Sequence, residues 1–131
     1  MHPKNMMAMA KIQITPGDLA DRISILEIKK EKSFCDEVEL EELMEQWKLL
    51  GVGRSYINDM KAINLEGWGT VERIYEMFDE MHCVSVDKNE CFNVCRTAHM
   101  NNKMRVTFKN YINKCLGVDR QEIKTWTPST I

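Results

Sequence analysis

The sequence predicts an all-α protein, a bundle of about four helices, and three observations carry that expectation. Apolar residues recur at three- and four-residue spacing along most of the chain instead of alternating. Capping residues open the periodic segments at Thr15, Asp36 and Asp87, and glycines close two of them at Gly51 and Gly117. At 131 residues the chain is also long enough to bury one core without disulfide or metal staples.

The first helix falls within Thr15 to Ser33, TPGDLADRISILEIKKEKS, and the rest of the chain reads as built to cover it. Thr15 is the expected N-cap, Pro16 fits the first turn because its missing N–H has no partner there, and Asp18 stands where a capping-box acid reaches back. Leu19, Ile23 and Leu26 form the apolar stripe, Ile25 and Ile28 widen it, and Asp18, Arg22 and Lys29 share a neighbouring face. Before it, residues 1–11 read as a flexible tail, and Ile12 and Ile14 as a short extended lead-in to a domain spanning 12–117.

A second helix is expected from Glu37 to Leu50, capped by Asp36 and Glu39, with Leu40, Leu43, Met44, Trp47 and Leu50 as its stripe. The third should span Ser55 to Met81 on a seam of Ile57, Met60, Ile63, Val71, Ile74, Phe78 and Met81. Gly67 and Gly69 interrupt that seam on either side of Trp68. Each costs about 1 kcal/mol in helix propensity, so a kink, a break or a close approach is expected, close helix packing beside the indole before a ligand. The fourth helix runs from Lys88 to Leu116, opened by Asp87 and Glu90 and closed by Gly117 at C′. Phe92, Val94, Cys95 and Ala98 begin its apolar face and Phe108, Tyr111, Ile112, Cys115 and Leu116 finish it, but Asn101, Asn102 and Arg105, with Lys109 a turn further, interrupt it. Residues 118–131, with Trp126 and Pro128, read as an extended tail.

A net charge of −2 argues against a dedicated nucleic-acid binder, which needs a concentrated basic surface. No run approaches the ~18 apolar residues of a membrane span, and the start MHPKNMMAMA is too interrupted for a signal peptide, so a soluble, cytoplasmic protein is expected. Cys35, Cys83, Cys91, Cys95 and Cys115, an odd number, are then expected as reduced thiols.

Three constellations could carry chemistry. Arg22, Lys29, Asn64, Trp68, Arg96, Asn101, Asn102, Arg105 and Lys109 are donors without a nucleophile, suited to phosphate or carboxylate groups with an indole to stack on a base or sugar. The competing account is an internal network in which Glu27, Glu31, Glu66 and Glu72 neutralise these cations and fix helix pairing. Cys91, Cys95 and His99 share a helix face and could meet His82 and Cys83 around zinc, but no C-x-x-C knuckle is present and cysteine packs readily as a small apolar residue. Glu27 with Glu31, Glu41 with Glu45 and Glu72 with Glu76 have the spacing of magnesium-binding acids, a spacing that recurs by chance on charged helices, as does the acidic run from Asp36 to Glu45.

The run ITPGDLADRISILEIKKEK resembles the opening of a small bacterial and phage family of unknown function, whose members begin Ser/Thr-Pro-Gly-acid-Leu and continue through Ile-Leu-Glu-Ile-Lys. Lys61-Ala62-Ile63-Asn64 with Trp68 and Glu72, the segment from Arg96 to Arg105 continuing to Lys109 and Ile112-Asn113, and Glu122-Ile123-Lys124 are similar to its later blocks. Asn102 stands where the family has Asp, and Gly67 and Gly69 where it has better helix formers. The resemblance implies an all-helical fold and names no reaction; its members occur in phages and near genes for surface-polysaccharide glycosylation.

The expectation is therefore a non-enzymatic protein without catalytic residue, metal or cofactor, binding a small anionic, nucleotide-like ligand in a polar pocket between the first, third and fourth helices. In that reading Arg22, Lys29, Arg105 and Lys109 neutralise phosphate, Asn64, Asn101 and Asn102 read polar edges, and Trp68 stacks. A phage sponge sequestering a host defence signal would have these properties. A structural adaptor for surface glycosylation and a metal-dependent nucleotide hydrolase are the alternatives. Apolar surface at Trp47 and along the fourth helix predicts a homo-oligomer.

Overall fold

The computed structural model describes residues 14–32, 36–80 and 87–118; the expected N-terminal tail, Ile12, Cys35, Met81, His82, Cys83 and the tail beyond Val118 lie outside them. The architecture is an all-α bundle of four helices: α1 (Pro16–Glu31), α2 (Glu37–Lys48), α3 (Ser55–Glu80) and α4 (Lys88–Cys115). α1 packs on each of the other three, and α3 and α4 pair as a long hairpin. No helix among the described residues is long and apolar enough to cross a membrane.

The caps follow the sequence with two differences. Thr15 accepts the Asp18 N–H at 3.3 Å, and Asp36 accepts that of Glu39 at 3.1 Å. The Asp18 carboxylate, however, accepts from the Thr15 hydroxyl at 3.2 Å. Asp87 caps α4 through the Asn89 N–H at 2.9 Å, and Glu90 reaches across the hairpin to Arg73 Nε at 2.8 Å instead of closing a capping box. At the far end Gly117, with φ of 77°, reverses the chain so that the Val118 N–H reaches the Asn113 carbonyl at 2.8 Å and closes the helix end.

Leu19, Ala20, Ile23 and Leu26 of α1 meet Leu40, Leu43 and Trp47 of α2, Ile57 and Met60 of α3, and Ile112 of α4 in one core. Each large apolar side chain removed from water this way stabilises the fold by roughly 1.5–3 kcal/mol. Trp47 is only 2% exposed and donates its indole N–H to the Gly53 carbonyl at 3.1 Å. It anchors α2 and so supplies none of the apolar surface expected of it. Tyr56, Phe108 and Tyr111 form an aromatic cluster at one end of the hairpin, with Phe108 and Tyr111 stacked 5.9 Å apart.

α3 runs unbroken through both glycines. Gly67 is a point of close approach: a methyl built there would overlap the Asn101 amide oxygen and lie 3.0 Å from its Cγ, whereas one at Gly69 meets nothing within 4 Å. The Asn101 amide N–H donates to the Ile63 carbonyl at 2.8 Å, so the glycine makes room for a polar tie between helices. The expected apolar seam of α3 divides, with Ile57 and Met60 buried, Ile63 and Ile74 half-buried, and Val71 and Phe78 exposed, while Met77, outside the expected seam, is buried.

Candidate functional site

The TPGD phrase that opens α1 has a packing reason. Gly17 lies against α4, where a Cβ would overlap the Lys109 carbonyl oxygen and stand 2.9 Å from its carbon. The approach lets the Gly17 N–H, otherwise an orphan of the first turn, donate to Asn113 Oδ1 at 2.7 Å. Gly17, Asp21, Ser24 and Ile28 follow at helical spacing as a second buried stripe on α1, distinct from the apolar one.

That stripe carries Asp21, which together with exposed Asp18 neutralises Arg105 and Lys109 of α4. Asp21, 7% exposed, accepts from Arg105 Nη1 at 3.1 Å and from Asn64 Nδ2 at 2.8 Å. Lys109, equally buried, places its ammonium 3.2 Å from Asp18 and 4.0 Å from Asp21. Asn64 also donates to Ser24 Oγ, whose hydroxyl donates to the Asp21 carbonyl, and Arg105 Nη2 donates to Asn102 Oδ1. Among the described residues no buried side-chain polar atom lacks a partner. Such complete pairing is what a buried charged cluster requires, since each uncompensated ion would cost several kcal/mol.

Three of the four acids nominated from sequence are engaged elsewhere. Glu27 pairs with Arg54 at 2.8 Å, Glu31 with Lys61 at 2.5 Å, and Glu72 with Lys32 at 3.6 Å. Glu76, the other half of the Glu72 pair, takes Arg73 at 3.1 Å. The missed acid, Asp21, had a legible signal: it lies one turn from Asp18 and from Ser24, on a face whose small residues predict a backbone at close range.

Beside this network an open cleft of about 860 Å³ lies between α1, α3 and α4. Asn64, Trp68, Asn101, Asn102 and Arg105 line it, so five of the nine expected residues converge. Ile25, Val71, Tyr75 and Ala98 supply its apolar walls, and Glu72 and His99 also line it. Lys32 holds its ammonium 5.5 Å from the Trp68 ring centre, a cation–π contact. The other four expected residues do not line it. Arg22 is exposed and Lys29 half-buried on α1, Lys109 is buried in the network, and exposed Arg96 borders a smaller groove with Glu66, Asn93 and Thr97. Arg22 and Lys29 lie one turn before and one turn after Ile25, the α1 residue that does line the cleft, so they flank that wall without lining it.

Cys91 is half-buried and Cys95 and His99 exposed, and among the described residues no group of three or more His, Cys, Asp or Glu is placed to hold a metal ion. No family model matches the sequence, and no curated protein or solved structure matches it.

Proposed function

We propose that the cleft binds a small molecule carrying a planar ring and one anionic group, a nucleotide-like ligand, and holds it without turnover. The observation that carries this reading is the convergence of Trp68, Tyr75, Arg105 and three asparagines on one opening of about 860 Å³, a size suited to a compact ligand. The Trp68 indole would stack on the ring, the asparagine amides would read its edge, and remaining guanidinium N–H groups of Arg105 would meet the anion. Because Arg105 is, among the described residues, the single arginine or lysine lining the cleft and Glu72 also lines it, ligands with one phosphate should bind better than triphosphates. Sequestration of a host signal by a phage protein is the biological role in which such binding would suffice.

A second reading draws on a different observation. Asp18 and Asp21 already neutralise Arg105 and Lys109, which favours a structural adaptor whose network fixes helix pairing. The readings separate on native mass spectrometry of the purified protein with heat release of any cargo, followed by a nucleotide panel in thermal-shift assays. Binding of a monophosphate-type ligand, lost in Trp68→Ala and Asn102→Ala while the fold persists, supports the pocket. An apo protein that ignores the whole panel, or unchanged affinity in both variants, moves the assignment to the adaptor.

A further inference from the structure

The distal half of the α3–α4 hairpin is a surface without a covering layer among the described residues. At 26 and 28 residues α3 and α4 extend for roughly 39 and 42 Å, against about 24 Å for the 16-residue α1 that packs in their groove. Past α1, Val71, Tyr75 and Phe78 follow Trp68 along one face of α3, and Tyr75, Phe78 and Phe92 are 67%, 59% and 67% exposed. Val71, Tyr75 and Phe78, exposed in succession on one helix face, form the kind of apolar patch that marks an interaction surface, and Phe92 adds an exposed aromatic side chain near the start of α4. The exposed charges of this half of the hairpin are sorted by helix. From Glu72 onward α3 exposes Glu72, Glu76 and Asp79, with Arg73 its one base, while the first sixteen residues of α4 expose Lys88, Arg96 and Lys103, with Glu90 their one acid.

We infer that this half-hairpin pairs with the same surface of a second copy of the chain, as an antiparallel 2+2 bundle about a two-fold axis. Sorting by helix chooses the occupant: a two-fold lays each acidic α3 against the partner's basic α4, so one surface is complementary to itself, as an isologous interface requires. The same step buries the aromatic stripe. It also roofs the cleft, because Trp68, Val71 and Tyr75 belong to both surfaces. The roofing rests on the cleft's being a binding site; the pairing does not, and its test uses no ligand.

The test is mass in solution, by light scattering and native mass spectrometry, of the full chain and two charge-reversed variants, Glu72→Lys with Asp79→Lys and Lys88→Glu with Lys103→Glu. The wild type is expected as a dimer. Each variant faces like charge with like in its own dimer and should self-associate about tenfold more weakly or worse, whereas an equimolar mixture should restore a heterodimer in which both contacts are complementary again. Circular dichroism establishes that the exposed substitutions leave the helices formed. Should either variant fail to fold, cross-linking of isotopically distinct wild-type copies supplies the answer, with links expected from Lys88 or Lys103 of one copy to Glu72, Glu76 or Asp79 of the other. A monomeric wild type, variants that dimerise undiminished, a mixture that stays monomeric, or cross-links running only within a copy or to residues 119–131 overturns the proposal.

Discussion

Replacing Gly17 by alanine sets two effects of opposite sign against each other. Helix propensity alone favours the change by up to about 1 kcal/mol, since glycine is the costlier residue in a helix. Packing opposes it: the new Cβ would overlap the Lys109 carbonyl oxygen and stand 2.9 Å from its carbon, where ordinary contact begins at 3.4 Å. The obstacle is main chain and cannot rotate aside, so α1 and α4 must part by about half an ångström or more, a strain of about 1–3 kcal/mol. Parting also stretches the 2.7 Å bond from Gly17 to Asn113, and weakening a buried backbone donor's bond costs about 1 kcal/mol or more. The net expectation is destabilisation by about 1–3 kcal/mol. In urea denaturation followed by circular dichroism, with a slope of about 2 kcal/mol per molar, the midpoint should fall by about 0.5–1.5 M at constant slope. Gly69→Ala is the internal reference: with nothing within 4 Å of its Cβ, propensity acts alone and the midpoint should rise. A Gly17→Ala protein as stable as the wild type or more so would refute the close-approach account of the TPGD phrase.

Gly67→Ala should destabilise the fold by about 1–2 kcal/mol, and the effect should largely vanish on an Asn101→Ala background, where the amide that meets the new methyl is gone; a double-mutant cycle reads that coupling, and additive effects would sink the explanation. Asp21→Ala should cost about 3 kcal/mol by leaving Arg105 and buried Lys109 short of an acceptor, while Glu27→Ala, whose partners Arg54 and Lys61 reach solvent, should cost under about 1 kcal/mol; equal midpoint shifts would contradict the network. Hydrogen bonding with the Cys115 thiol, foremost, holds the Tyr56 and Tyr111 phenols above the ordinary tyrosine range. Because the unfolded chain loses those protons first, the associated stability is complete below the ordinary tyrosine pKa and falls as pH rises through the elevated values. Tyrosinate absorbance should therefore develop at lower pH in Cys115→Ala, and an unchanged titration would exclude the thiol as the cause.

The sequence by itself determined the helices and much of their chemistry. Threonine and aspartate before an apolar repeat, and glycine after one, signal helix ends through local hydrogen bonding alone, so Thr15, Asp36, Asp87 and Gly117 marked boundaries that depend on no distant residue. The polar interruption of α4 at Asn101, Asn102 and Arg105 was legible for a similar reason, since an apolar face that stops for three residues must meet something polar. Tertiary structure decided the partners. That Asp21 and not Glu27 or Glu72 neutralises Arg105, that Lys109 faces Asp18 and not the cleft, and that Arg22, Lys29 and Arg96 stand apart from it all follow from where α1 settles against α4. Sequence spacing gives the phase of one helix about its own axis; the angle and depth at which two helices meet depend on both surfaces at once. Here the depth is set by Gly17 and Gly67, whose missing side chains admit a carbonyl of α4 in one case and an amide of α4 in the other.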